Sequence, residues 1–276
     1  MTTDPSMRIQ IFRVGNLMDI LTRIVENTRE ILIERKVARP QSLLEEVLRA
    51  SPRAANHLSK RSQTQQPHVI AEFKRKSPSR PNINLAADPV EVATSYERGG
   101  ASAMSVLTEQ DFFAGSLDDL IRIREAVQLP LLRKDFMVDP YQFYEAAAAG
   151  ADLILLIARI LDPAQLRDYT ELAHELGLEV LCEVHNSQEL ERVGDTAVDF
   201  LGVNCRDLKR FETNLDHLVH MTAVLPKHIP WVAESGMKSS ADVKRLYEHG
   251  YQLFLIGEYL MKEDDPAARL AEIVAL

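Results

Sequence analysis

Beyond residue 60 the chain alternates short β-branched apolar runs with longer segments whose apolar positions recur at helical spacing. The short runs predict strands at His68–Lys74, Ala103–Leu107, Leu131–Lys134, Leu153–Ile157, Glu179–Val184, Phe200–Asn204, Trp231–Ala233 and Leu253–Ile256. The longer segments predict helices at Pro89–Arg98, Leu117–Val127, Tyr141–Ala149, Ala164–Glu175, Ser187–Val193, Leu215–Val224, Ala241–Glu248 and Pro266–Val274. Asp88-Pro89, Asp139-Pro140, Asp162-Pro163 and Asp265-Pro266 each pair an N-cap acceptor with a proline suited to the first turn. Glycines at 99–100, 150, 177 and 250 follow helix ends, where a left-handed residue is often needed.

Strand followed by helix, repeated without a break, is the signature of parallel βαβ units and favours closure into a (β/α)8 barrel. An open doubly wound sheet is the alternative, but no Gly-rich dinucleotide fingerprint follows any of the strands. Upstream, Leu17–Lys36 and Gln41–Arg49 read as two extra helices separated by Pro40. Leu17, Ile20, Leu21, Ile24 and Thr28 share a helical face that has to pack on something. Residues 1–15 mix charge into every apolar stretch and read as a flexible lead-in, with 16–276 as a single barrel domain that includes N-terminal helices at 16–50.

A net charge of −9 argues against nucleic acid or an anionic membrane as the main partner. The longest apolar run, Leu153 to Ala158, is far short of a membrane span. Cys182 and Cys205 lie in apolar strand-like runs, where packing is their expected role; this usage suits a reducing cytosol and predicts a cytoplasmic location. The eight histidines are scattered away from any metal-ligand spacing, so no metal site is expected; no cofactor is expected either.

Strands of an all-parallel sheet are buried on both faces, so charge at their C-terminal ends needs a reason, and in a barrel that end is the catalytic face. The first strand ends Glu72-Phe73-Lys74, which puts both charges on one face and Phe73 on the other. Taken alone, that pair also fits a structural ion pair at the rim. But Lys134 closes the third strand, Glu183 the fifth, Asn204 and Arg206 the sixth, and Glu234 with Ser235 the seventh. Together they describe a mouth built for acid–base chemistry. Such crowding is expected to lower the pKa values of Lys74 and Lys134 and to raise those of Glu72 or Glu183. Ser77-Pro78-Ser79, Ser235-Gly236 and Gly257-Glu258 follow strands one, seven and eight; barrel enzymes often hold phosphate after strands seven and eight, and residues 257–262 could form the accompanying short helix.

Ala71-Glu72-Phe73-Lys74-Arg75-Lys76-Ser77-Pro78-Ser79 resembles the motif that opens the barrel of the indole-3-glycerol-phosphate synthase family. The resemblance continues through Ser105–Glu109, Leu132–Phe136, Asp139–Gln142, Glu179–His185, Gly202–Leu208, Ala233–Gly236 and Leu255–Glu258. It implies ring closure of 1-(2-carboxyphenylamino)-1-deoxyribulose 5-phosphate, with loss of carbon dioxide and water, in tryptophan biosynthesis. By the same resemblance Lys134 and Lys74 are candidate acids, and Glu183 stabilises the cationic ring intermediate or takes its proton. Glu72 with Asn204 would serve the dehydration, Arg206 and Lys74 would meet the departing carboxylate, and Glu234 with Ser235 would complete the floor. Ser77, Gly236 and Gly257, with Glu258 beside it, map to the phosphate end. Phe113 and Phe136 are candidates to sandwich the aromatic ring, although either also fits a core position.

Three positions depart from the family pattern: Arg80-Pro81-Asn82 where glycine is usual, Ala114 where glycine or a polar residue is usual, and Tyr259 where a small residue is common. His185 follows Glu183 closely, but the resemblance gives it no role. The implied partner is a small phosphorylated aromatic substrate, bound by a monomer or loose homo-oligomer, with other tryptophan-pathway enzymes as further candidates. Two alternatives compete. One is a phosphoribosylanthranilate isomerase-like barrel, whose family carries a catalytic cysteine where this chain has Glu72 and Lys74. The other is a non-catalytic phosphate-binding barrel subunit.

Overall fold

The computed structural model describes residues 19–50, 56–207 and 210–276, so Leu17 and the expected lead-in at 1–15 lie outside the described residues. Helices α1 (Ile20–Ala38), α2 (Gln41–Ala50) and α3 (Leu58–Arg61) precede strand β1 (His68–Phe73). The barrel then runs α4 (Pro89–Arg98), β2 (Ala103–Leu107), α5 (Leu117–Ala126), β3 (Leu131–Lys134), α6 (Tyr141–Ala149) and β4 (Leu153–Ile157). Next come α7 (Pro163–Glu175), β5 (Glu179–Val184), α8 (Ser187–Val193), β6 (Phe200–Asn204), α9 (Leu215–Met221), β7 (Trp231–Glu234), α10 (Ser240–Glu248), β8 (Leu253–Ile256), α11 (Glu258–Met261) and α12 (Pro266–Val274). Neighbouring strands pair in parallel in chain order, and β1 pairs with β8, which closes an eight-stranded barrel.

Two apolar layers explain the closure. Ile70, Leu132, Leu155, Leu181, Phe200, Val232 and Leu255 fill the inside of the barrel. Val69, Phe73, Met104, Ile154, Val180, Val203 and Phe254 pack outward under the helices. The period-two alternation of each strand therefore fixes the inward residues at its C-terminal end. Stepping two residues on from Ile70, Leu132, Leu181, Val232 and Leu255 reaches Glu72, Lys134, Glu183, Glu234 and Gly257; stepping four on from Phe200 reaches Asn204.

Local details differ from expectation in physically readable ways. Asp88, Asp162 and Asp265 cap their helices with proline in the first turn. At the fourth site Pro140 itself is the N-cap in helical conformation, although Asp139 Oδ1 still accepts from Tyr141 N at 3.0 Å. Gly100, Gly150, Gly177 and Gly250 are left-handed, whereas Gly99 is not. Helix α3 has no clear sequence signal. It plugs the N-terminal end of the barrel with Leu58, and Glu179 accepts from the backbone N–H groups of Leu58 and Ser59 at 2.7 and 3.2 Å.

Helix α1 lies across the catalytic end. Its buried face (Leu21, Ile24, Val25, Thr28 and Leu32) is the one whose spacing required a partner. Ion pairs Arg159–Asp19 (2.9 Å), Arg35–Glu145 (2.8 Å) and Lys36–Asp139 (2.6 Å) fasten its two ends. Leu44 of α2 is fully buried in a small core with Val25, Leu32, Val138 and Tyr141. Among the described residues no helix is long and apolar enough to cross a membrane.

Candidate active site

The inward strand ends and the loops above them enclose a cavity of about 950 Å3, with Ile20, Leu21 and Ile24 of α1 forming part of its wall. All fourteen residues singled out in the sequence for catalysis or binding line this one space.

Lys134 is the hub. Its Nζ lies 3.2 Å from Glu183 Oε2 and 3.5 Å from Glu234 Oε2, so one cation from β3 faces carboxylates from β5 and β7. The electrostatic expectation for this group needs correcting. Burial alone would lower the Lys134 pKa, but the surrounding charges of Glu183, Glu234 and Glu72 outweigh it and raise it. Burial would likewise raise the Glu183 carboxyl, yet the Lys134 ammonium and the His185 ring hold it below the usual carboxylate range. Glu234 goes the other way: burial and the adjacent Glu183 charge raise it in spite of Lys134. Lys134 thus stays an ammonium facing a carboxyl pair that titrates as a unit, with Glu183 pushed toward the carboxylate form and Glu234 toward the protonated one. Crowding by opposite charges produces this outcome, where the expectation from sequence allows only for burial and like charges.

The second charge centre is the close Lys74–Glu72 ion pair on the β1 side. Arg75, the next residue, turns outward to Asp119 (2.5 and 3.0 Å) and stacks over the Phe73 ring at 4.7 Å, which anchors the base of the following loop. That loop holds a tight turn in which Ser77 and Arg80 exchange backbone hydrogen bonds of 2.8 and 3.0 Å. Arg206 Nη1 reaches Ser79 Oγ at 3.4 Å and the Phe211 carbonyl at 3.3 Å, so it ties the β6 loop to the β1 loop. Asn204 Oδ1 accepts from the Arg206 backbone N–H at 3.0 Å.

Ser235 and Gly236 both have positive φ (70° and 81°), and successive left-handed residues turn the chain sharply after β7. A side chain at Gly236 would also meet Cys205, Leu215 and Thr213 at 3.0–3.2 Å. Glu258 directs its carboxylate to Lys262 (2.6 Å) and Arg80 (3.4 Å). Ala114 has φ of 52°, which gives a backbone reason for the glycine usual at this position. Just before it, Glu109 accepts from the backbone N–H groups of Asp111, Phe112 and Phe113 and so sets the Phe113 loop. Phe113 and Phe136 stand 6.0 Å apart, tilted by 39°. A ring inserted between two others needs about 7 Å at ordinary carbon contact distances, so one of them must move for the pair to sandwich a ring.

Glycine spacing is part of the site. A methyl group at Gly202 would land on Glu234 Oε1 and lie 3.2 Å from its Cδ. Gly202→Ala is expected to push the Glu234 carboxyl off Lys134 and lower kcat about a hundredfold, the scale of an ångström misplacement. Stability should fall far less, because Glu234 Oε1 has no hydrogen-bond partner to lose. Steady-state kinetics beside thermal denaturation separates the two effects.

A family model described as indole-3-glycerol phosphate synthase matches residues 21–273. The chain belongs to that family. It is 43% identical over 248 residues to the indole-3-glycerol phosphate synthase of Rhodopirellula baltica, covering 90% of this chain and 96% of that one. It is 44% identical over 260 residues to that of Desulfotalea psychrophila, covering 93% and 99%. Among solved structures, 3-hexulose-6-phosphate synthase from Salmonella typhimurium superposes with a TM-score of 0.62 at 16% identity, over 75% of this chain and 97% of that one. That likeness speaks for the barrel alone. Membership of the indole-3-glycerol phosphate synthase family makes the chain a decarboxylating lyase of tryptophan biosynthesis. The cavity-lining role of Ile20, Leu21 and Ile24 is not legible in the sequence, because their spacing shows a buried face without showing what it covers. His185, to which the resemblance gives no role, has its ring 3.7 Å from Glu183.

Proposed function

We propose that this mouth closes the indole ring of 1-(2-carboxyphenylamino)-1-deoxyribulose 5-phosphate, with Lys134 and Glu183 as its principal acid–base pair. The observation that carries the assignment is their 3.2 Å contact at the inner end of the cavity. The carboxyl-bearing ring carbon attacks the C2′ carbonyl, and the Lys134 ammonium gives its proton to the oxygen as that oxygen becomes a hydroxyl. The Glu183 carboxylate faces the positive charge that attack leaves on the ring and its nitrogen. Loss of carbon dioxide returns the bonding electron pair to the ring and restores its aromaticity. Dehydration then removes the C2′ hydroxyl as water and a proton from C1′. Glu72 and Lys74, an ion-paired base and acid at the end of β1, serve this step with Asn204.

Arg206 and Lys74 receive the substrate carboxylate, Glu234 and Ser235 complete the floor, and Ser77, Gly236, Gly257 and Glu258 surround the phosphate end. Phe113 and Phe136 flank the anthranilate ring once one of them swings aside. An isomerase-like reading finds no support at β1, since the two cysteines are buried at Cys182 and Cys205. Burial pushes both thiols up, Cys205 to about 11, which suits packing roles in a reducing cytoplasm. The test is direct: purified protein supplied with the carboxyphenylamino-deoxyribulose phosphate should produce indole fluorescence that saturates with substrate. Folded protein giving no signal above background at neutral pH would contradict the assignment.

A further inference from the structure

The reaction above makes no use of His185, yet its ring is braced directly beside Glu183. His185 follows the end of β5 and shares the inward face of Glu183, two residues before it. Its Nδ1 lies 3.2 Å from Glu189 Oε2 on α8, and the same oxygen accepts from the His185 backbone N–H at 2.7 Å. Glu189 is itself held, with Oε1 accepting from Asn186 Nδ2 at 3.3 Å. The His185 carbonyl accepts from His217 Nε2 of α9 at 2.7 Å. Ring, main chain and supporting carboxylate are therefore all clamped.

The remaining nitrogen, Nε2, is buried without a hydrogen-bond partner and lies 3.7 Å from Glu183 Oε1. A neutral ring that donates from Nδ1 to Glu189 would turn the Nε2 lone pair toward a carboxylate. A ring protonated on both nitrogens presents an N–H to each carboxylate instead. We propose that His185 is a positioning residue for Glu183: an imidazolium, braced by Glu189, that keeps the Glu183 carboxylate ionised and turned toward Lys134. The proposal rests on the reading of Glu183 as a reacting group.

The charges around this line are consistent with it. Glu183 faces Lys134 from β3, Glu234 from β7 and His185 from its own strand end. His185 faces Glu183, Glu189 from α8, and Arg159 from the loop after β4. Arg159 opposes a second cation, but it is paired with Asp19 at 2.9 Å. Burial lowers the His185 pKa, and the two carboxylates more than reverse that.

Two measurements test the proposal. The first needs no substrate: the imidazole 15N shifts of His185 in the ligand-free protein at pH 7.5 should show both nitrogens protonated, and Glu189→Gln should weaken that state. A neutral His185 ring at pH 7.5 would overturn the idea whether or not the enzyme turns over. The second compares His185→Gln and His185→Leu with wild type. Both should lower kcat about tenfold or more with little change in KM. Both should also move the acidic limb of the kcat profile to higher pH by about one unit, because Glu183 without its imidazolium is harder to ionise. Folded variants with wild-type kcat, or with lower kcat and an unmoved acidic limb, would reduce His185 to a packing residue and overturn the proposal. Failure of the synthase reading would look different: wild type would show no turnover while the 15N result stood.

Discussion

Replacing Lys134 by alanine is expected to lower kcat by about two to four orders of magnitude, the range for a general acid–base group, while the barrel stays folded. The reason is the geometry of the hub. Lys134 is the cation between Glu183 at 3.2 Å and Glu234 at 3.5 Å, and its charge is a large part of what holds the Glu183 carboxyl below the usual carboxylate range. Without it the two carboxyls face each other in a buried space, and Glu183 loses its reason to stay ionised. One substitution thus removes the proton donor and weakens the carboxylate. Glu183→Gln removes only the second of these and should cost kcat on a similar scale. The double variant should then lose much less than the product of the single losses, because the residues act as one unit. Kinetics on all three proteins, each checked for folding by circular dichroism, decides the matter. Near wild-type turnover in both single variants would mean that the site is misassigned.

The second large effect concerns stability. Arg133 of β3 is fully buried on the outward face of the strand. Its guanidinium reaches Asp135 Oδ2 at 3.0 Å, Glu145 Oε2 at 3.3 Å and the Gln142 carbonyl at 2.8 Å. Breaking a buried ion pair by removing one partner costs about 3–5 kcal/mol. Arg133→Ala is therefore expected to destabilise by that amount in urea titration, with a fall in Tm of roughly ten degrees. Glu145 also receives Arg35 at 2.8 Å, so the loss should reach α1 and loosen the wall over the cavity. Faster amide exchange in α1 than in α7 of the variant would show that spread. An Arg133→Ala protein with unchanged stability would mean that the network contributes little.

Much of the barrel and its mouth is legible in the amino-acid sequence. Eight apolar runs of strand length separated by capped amphipathic segments favour a barrel, because parallel strands need burial on both faces and eight unbroken strand–helix units can close on themselves. Glu72, Lys134, Glu183 and Glu234 stand out as a site because charge two residues beyond a barrel-interior side chain has nowhere to point but the mouth. Arg133 shows the limit of that reasoning. Seen in sequence it belongs to the same charged strand end as Lys134, yet the pleat turns it under the helices to a structural network. The proton states come out wrong from sequence for a similar reason: the distances of Lys134 from three carboxylates decide the sign of its shift, and spacing along one chain does not contain them. The destination of α1 and the plug at Leu58 are likewise set by contacts between segments far apart in sequence or too short to carry a periodic signal.

Carbon dioxide release measured against indole formation tests the central claim most directly. Substrate labelled with 13C at the anthranilate carboxyl is supplied to the wild-type protein, and both products are followed in the same sample. The account predicts one labelled carbon dioxide for each indole ring formed, with both lost together in Lys134→Ala. Indole formed without labelled carbon dioxide, or no turnover by folded wild-type protein, would contradict it.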